Sequence, residues 1–129
     1  DGTPLDKISS EMGMLLVQQN TTLTPIEAEE ITSSKKGSEY RGRTLPLMKV
    51  ISKNEKDKLI NVYLNIYSGE VTAIRSMQWK IWDVMWGFHI MDWQERDNID
   101  NLFLKIFSIL ALVSSITGIL LFFKIDFKK

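Results

Sequence analysis

Cysteine is absent from the 129 residues, which excludes disulfides, thiolate zinc sites and a cysteine nucleophile within this chain. Histidine occurs once, at His89, so no multi-histidine metal site forms from this chain alone. No serine stands in a Gly-flanked elbow, and no glycine-rich phosphate loop follows a strand-like run. An excess of either charge is lacking too, since 16 Lys and Arg balance 16 Asp and Glu. Without a basic stripe or interleaved aromatics on strands, no nucleic-acid partner is expected. Glu29 with Glu30, and Asp97 with Asp100, read as a solvated face and a polar membrane flank rather than as catalytic pairs. The chain on its own is therefore expected to be non-catalytic.

What remains is room for one small domain plus an appendage. Residues 1–101 hold 12 basic and 15 acidic side chains, whereas the last six carry Lys124, Lys128 and Lys129 against Asp126. The bulk is mildly acidic and the tail basic. The first residue is Asp1, with no charged-then-apolar leader behind it, so an upstream signal peptide, first span or further segment is expected.

Leu102–Phe123 is a 22-residue apolar run broken only by Lys105 near its start. At about 1.5 Å per residue it reaches roughly 33 Å, enough to cross a bilayer. The preceding domain is too small to wrap a helix apolar on every side, so a span is expected rather than a core helix. Lys105 can snorkel outward from the first turn. The lysines of "FKIDFKK" outnumber Arg96 and Lys105 before the run. That asymmetry predicts a cytoplasmic C-terminus and an outer, periplasm-like location for the N-terminal domain. Inside the run, Ser108, Ala111, Ser115 and Gly118 recur at +3, +4 and +3. Such a small-residue stripe admits a second transmembrane helix or membrane-protein subunit as a packing partner.

In the soluble part, Leu5, Ile8, Met12 and Leu15 keep helical spacing and predict a helix over 5–19. "TLTPIEAEEI" reads as a helix start, with Thr24 as N-cap, Pro25 in first position and Glu27 completing a capping box; "KKG" at 35–37 would close it. From Leu45 the period changes. "LINVYLNIY" alternates Ile60, Val62, Leu64 and Ile66 against Asn61, Tyr63 and Asn65, the pattern of a half-buried strand. "PLMKVIS" precedes it across the "KNEKD" loop, and "EVTAIR" follows it across a Ser68-Gly69 turn. The expected fold is α+β: helices on one face of an antiparallel three-stranded meander, the Ile60 face buried and the Asn face wet.

Between sheet and span lies "WKIWDVMWGFHIMDW", residues 79–93, with all four tryptophans and His89. Trp79, Trp82, Trp86, His89 and Trp93 follow +3, +4, +3, +4, so on a helix they share one stripe.

"TPIEAEEI", a strand pair, "VYLNIYSGEVTAIRS", "WGFHIMD" and "SSITGILLFF" occur in an order that resembles the PepSY domain with its associated transmembrane helix. The likeness covers roughly residues 20–123. Pro25 and Ala28 match the family's Pro-x-x-Ala helix start, and Tyr67, Gly69, Glu70 and Val71 match its last hairpin turn. His89, Thr117 and Gly118 match a histidine-bearing helix and the Thr-Gly pair of its span. The resemblance implies either an inhibitory or regulatory domain or a place among haem-carrying reductases of ferric siderophores at the bacterial inner membrane. Those reductases have several spans and several histidines, where this chain has one of each. Family members commonly begin with a further span.

Two readings of the Trp stretch follow. In one, Trp79, Trp82, Trp86 and Trp93, with Lys105, form an interfacial belt at the lipid headgroups, His89 being a polar tip in it. In the other, His89 is an axial haem ligand walled by Trp86 and Trp93, with the second ligand supplied by a partner. The belt needs no cofactor and is the preferred expectation. The resulting organisation is a PepSY-like extracytoplasmic domain over 1–75, an interfacial Trp-rich helix over 76–95, a span over 102–123 and a cytoplasmic tail over 124–129. Its expected role is an interaction or regulatory module within a larger inner-membrane assembly; the alternative is an accessory subunit of an electron-transfer system.

Overall fold

The computed structural model describes residues 6–126. Leu5, Lys128 and Lys129, used above for helix spacing and for orientation, lie outside the described residues. The fold is α+β, with four strands rather than three in one antiparallel sheet of order β1-β2-β3-β4. The elements run α1 Ser10–Asn20, β1 Thr24–Ile31, β2 Leu47–Lys53, β3 Leu59–Asn65, β4 Val71–Arg75, α2 Met77–His89 and α3 Leu102–Asp126. Two compact units divide within α2, after Asp83.

The additional strand corrects the helix expected from Thr24 to Gly37, and with it the Pro-x-x-Ala helix start that the resemblance implied. A capping box is a local preference, and here pairing with β2 overrides it. Ala28 lies opposite Val50 and Glu29 opposite Lys49, with the register shifted between Pro25 and Glu27. As a strand the segment alternates usefully: Ala28 packs against the main core while Ile31 packs against the cluster on the other face. Glu29 also meets Lys49 at 2.6 Å. Pro25 is tolerated because this strand lies at the sheet edge, and the run of glutamates guards that edge against further pairing.

β2 and β3 pair Val50 with Val62 and Met48 with Leu64. One sheet face thus carries Met48, Val50, Val62, Leu64 and Ile66 into a single core closed by Val17 of α1. Full burial of each such aliphatic side chain stabilises by about 1.5–3 kcal/mol, so this layer dominates the stability of the unit. α1 starts at Ser9, whose hydroxyl accepts from the Met12 amide at 3.2 Å. It approaches the sheet closely at Gly13, where a Cβ would stand 2.7 Å from the Met48 sulfur.

The opposite face, expected to be wet, is covered as well. Tyr63 is 2 % exposed and joins Tyr40, Leu47 and Ala73 in a second cluster, the Tyr40 and Tyr63 rings 5.7 Å apart. The cover comes from the 32–46 connection, which the strand's own alternation does not report.

Candidate functional site

α2 begins at Ser76, whose hydroxyl accepts from the Trp79 amide at 3.3 Å. With no proline and one glycine, the sequence sustains the helix to His89. Its first half is fixed by polar contacts within the first unit. Arg41 donates to the Asp83 carboxylate, which is 1 % exposed. The Trp79 ring lies beneath the Arg75 guanidinium, 4.1 Å from ring centroid, with that of Arg41 at 5.7 Å. Arg75 donates in turn to the Glu39 carbonyl at 3.0 Å.

Glu39 is the hub of this arrangement. Its carboxylate accepts from Asn61 at 2.8 Å and from the Tyr63 hydroxyl at 3.1 Å, and pairs with Lys80 at 2.7 Å. Burial alone would raise its pKa, but the hydrogen bonds and charge of Lys80, with Asn61 and Tyr63, outweigh it and hold the carboxyl below its ordinary value. Burial and the neighbouring Glu39 charge push the Tyr63 hydroxyl far above its ordinary range. Burial, then Arg43 and Arg41, lower Arg75. Each group is matched by partners, so the cluster holds α2 to the sheet and presents no activated nucleophile.

The faces of α2 differ from the expected tryptophan stripe. Trp79 and Trp86 are half-buried, on the side that also carries Asp83 and Ile90. Met77, Ile81, Val84, Met85 and Phe88 share the other side, within an arc of about 100° at helical pitch. All five are exposed, and Trp82 is exposed on the flank. The helix ends at His89, so Trp93 is not on it and the five-residue stripe breaks.

The break is a built turn. Asp92 donates its amide to the Gly87 carbonyl at 3.0 Å, and Met91, at φ 55°, donates to the Phe88 carbonyl at 3.2 Å. This is a Schellman closure with methionine in the left-handed position that glycine usually takes. The Asp92 carboxylate then accepts the amides of Gln94, Glu95, Asp97 and Asn98 at 3.0–3.3 Å. Slight burial raises its pKa, but those four backbone donors outweigh it and hold the carboxyl below its usual value. Gly87 admits this loop, because a Cβ there would meet the Asp92 carbonyl at 2.9 Å. Asn101 closes the connector: its oxygen caps α3 by accepting the Leu104 amide at 2.9 Å, and its amide donates to the Ile90 carbonyl at 2.7 Å. Trp93 lies against Phe103, centroids 5.9 Å apart, and Lys105 pairs with Asp100 at 2.5 Å.

α3 contains one candidate span, Leu102–Lys124, of 23 residues with mean hydropathy 2.5 and none of its window buried. It is long and apolar enough to cross a membrane. Ser108 and Ser115 donate to the carbonyls of Leu104 and Ala111, at 2.7 and 2.8 Å, so their hydroxyls are satisfied within the helix. At Gly118 a Cβ would meet nothing within 4 Å. Any packing along Ser108, Ala111, Ser115 and Gly118 would therefore rest on shape, not on missing hydrogen bonds.

His89 is exposed at the last turn of α2, its ring 5.8 Å from that of Trp86. Its imidazole is the one histidine nitrogen that this sequence would offer a haem, and a further ligand would have to come from another group. Among the described residues no group of three or more His, Asp or Glu is placed to hold a metal ion.

Sequence reasoning missed the Glu39 hub, the Arg41–Asp83 pair and the Asp92 nest. Asp83, the one acidic residue in α2, is the available signal for the second. Compared with known proteins, the chain matches no family model, no curated protein and no solved structure.

Proposed function

We propose that the protein is a membrane-anchored, PepSY-like interaction module: a small α+β domain held at the outer face of a bacterial inner membrane by α3, serving as a subunit of a larger membrane assembly. The observation that carries this reading is the Leu102–Lys124 stretch of α3, 23 residues with no charge after Lys105 until Lys124 and none of its apolar window buried. The family likeness is supported by the β3–β4 turn, where Gly69 takes φ 70° and Asn65 accepts the Tyr67 amide at 2.9 Å. The strand at Thr24–Ile31 is its departure from the expected pattern.

The small-residue stripe is the contact proposed for the companion subunit, and the lysine tail supports the cytoplasmic placement of the C-terminus. The test is purification from native membranes in mild detergent, beside Gly118→Leu and a control, Leu112→Ile. Companions retained by the control and lost from Gly118→Leu support the reading. Identical companions in both variants, or release of the unmodified chain from membranes by alkaline carbonate, count against it. A Soret band that disappears in His89→Gln would favour the electron-transfer alternative, with the second ligand on the companion.

A further inference from the structure

We infer that Arg43 and Arg75 form a binding site for the phosphate of a phosphate monoester, where the 32–46 connection meets the end of β4. Every residue of the site precedes Val84 and lies within the first unit, so the inference stands apart from α3 and from its reading as an anchor.

The first observation is an excess of charge. Around Glu39 and Trp79 gather Arg41, Arg43, Arg75 and Lys80. Lys80 pairs with the Glu39 carboxylate at 2.7 Å, and Arg41 pairs with that of Asp83. Among the described residues no carboxylate forms an ion pair with Arg43 or Arg75, so the cluster keeps two positive charges without a counter-ion. Burial, then the Arg43 and Arg41 charges, lower the Arg75 pKa, and the opposing effect of Glu39, already engaged by Lys80, is outweighed.

The second observation is that Arg75 is already held in position. Its Nε donates to the Glu39 carbonyl at 3.0 Å and its Nη1 to the Ile74 carbonyl at 3.3 Å, while its guanidinium lies 4.1 Å from the Trp79 ring centroid. Those bonds leave both Nη2 hydrogens without an acceptor among the described residues. Arg43 is exposed, and its backbone is set by a bond from its amide to the Tyr40 carbonyl at 3.2 Å. One guanidinium is therefore fixed and half-buried, and the other can close over an anion beside it. Charge and shape select that anion. Guanidinium forks match the oxygens of a phosphate, and a phosphate monoester carries about −1.5 to −2 at pH 7, against the two cations left over. A carboxylate brings one charge and leaves one of the pair uncompensated.

The test is calorimetric titration of the full chain, held in phosphatidylcholine nanodiscs, with methyl phosphate and with acetate. Arg43→Gln is compared with Lys56→Gln, an exposed cation of the β2–β3 loop. Methyl phosphate is expected to bind saturably to the unmodified chain and to Lys56→Gln, and at least tenfold more weakly to Arg43→Gln. Acetate is expected to bind the unmodified chain at least tenfold more weakly than methyl phosphate. Absence of saturation in the unmodified chain at millimolar methyl phosphate overturns the inference, whatever the variants do. Equal binding of acetate, or equal losses in Arg43→Gln and Lys56→Gln, also overturns it. Discs containing phosphatidic acid, beside discs with phosphatidylglycerol, then distinguish the two sources of such a phosphate. Suppression of methyl phosphate binding by phosphatidic acid alone assigns the site to a lipid headgroup, and an unchanged titration assigns it to a soluble ester.

Discussion

Arg41 donates to Asp83 across 42 positions of sequence, joining the 32–46 connection to the second turn of α2. Asp83 is 1 % exposed and the Arg41 side chain 16 % exposed, so neither charge has water enough to replace its partner. Removing one member breaks a largely buried ion pair, at a cost of about 3 kcal/mol. Asp83→Ala is expected to lower the melting temperature of the detergent-solubilised chain sharply. Asp83→Asn, which keeps one acceptor oxygen, should lie between it and the unmodified protein.

The Glu39 hub predicts the pH dependence of the same attachment. Its folded-state pKa is depressed below 4.5, so its stabilisation is present above that value and fades as pH falls through the depressed folded value. Tyr63 has the reverse sign: its folded pKa is raised above 10, so its contribution is present below pH 10 and is lost as pH rises toward that folded value. Thermal unfolding followed from pH 7 to 3 should show a fall in stability that Glu39→Gln makes shallower. A parallel curve for the variant would remove Glu39 from the explanation.

The two sheet faces give a paired test. Val62 is fully buried in the main core, and an unpaired carboxylate there costs several kcal/mol, so Val62→Asp is expected to unfold the soluble domain. Asn61 donates to Glu39 at 2.8 Å. Asn61→Asp would set two carboxylates together and is expected to be clearly destabilising, while Asn61→Ala costs about 1.5–3 kcal/mol through the lost bond to a charged acceptor. Wild-type stability of Asn61→Asp, measured by urea unfolding, would show that the Asn face is wet after all.

What could be read from the sequence follows from how local each signal is. The alternation of Ile60, Val62, Leu64 and Ile66 exposed β3 directly, because a two-residue period is fixed by the strand alone. The length and apolarity of α3 were equally self-contained. Thr24–Ile31 misled because Thr24, Pro25 and Glu27 make a sound helix start, and only the unfilled edge of β2, more than fifteen positions away, draws the segment into the sheet. The cover over Tyr63 comes from Tyr40 and Glu39, again distant in sequence. In α2 both sides are apolar, so periodicity located the helix without saying which side faces inward. Nor does any glycine mark its end: Met91 takes the left-handed turn, and the stripe was carried past it to Trp93.

That turn and its loop are open to direct measurement. Gly87→Ala forces a Cβ toward the Asp92 carbonyl, 2.9 Å away, and Asp92→Ala removes the acceptor of four backbone amides. Both are expected to speed amide hydrogen exchange at Gln94, Glu95, Asp97 and Asn98 while leaving the strands protected. Met91→Gly should act oppositely and stabilise the closure by about 1 kcal/mol, because glycine adopts the left-handed conformation without Cβ strain. Unchanged exchange across residues 92–98 in Asp92→Ala would show that the connector is not held by that carboxylate.

The anchoring of the domain by α3 stands at the centre of the account, and labelling from the two sides of the membrane tests it most directly. Asn54→Cys in the β2–β3 loop and Lys124→Cys at the far end of α3 are each introduced into the cysteine-free chain and exposed to a membrane-impermeant maleimide in cells with a permeabilised outer membrane. Position 54 is expected to react before the inner membrane is broken and position 124 only afterwards. Reaction of both positions in unbroken cells, or of position 54 only after lysis, would contradict the proposed anchor or its direction.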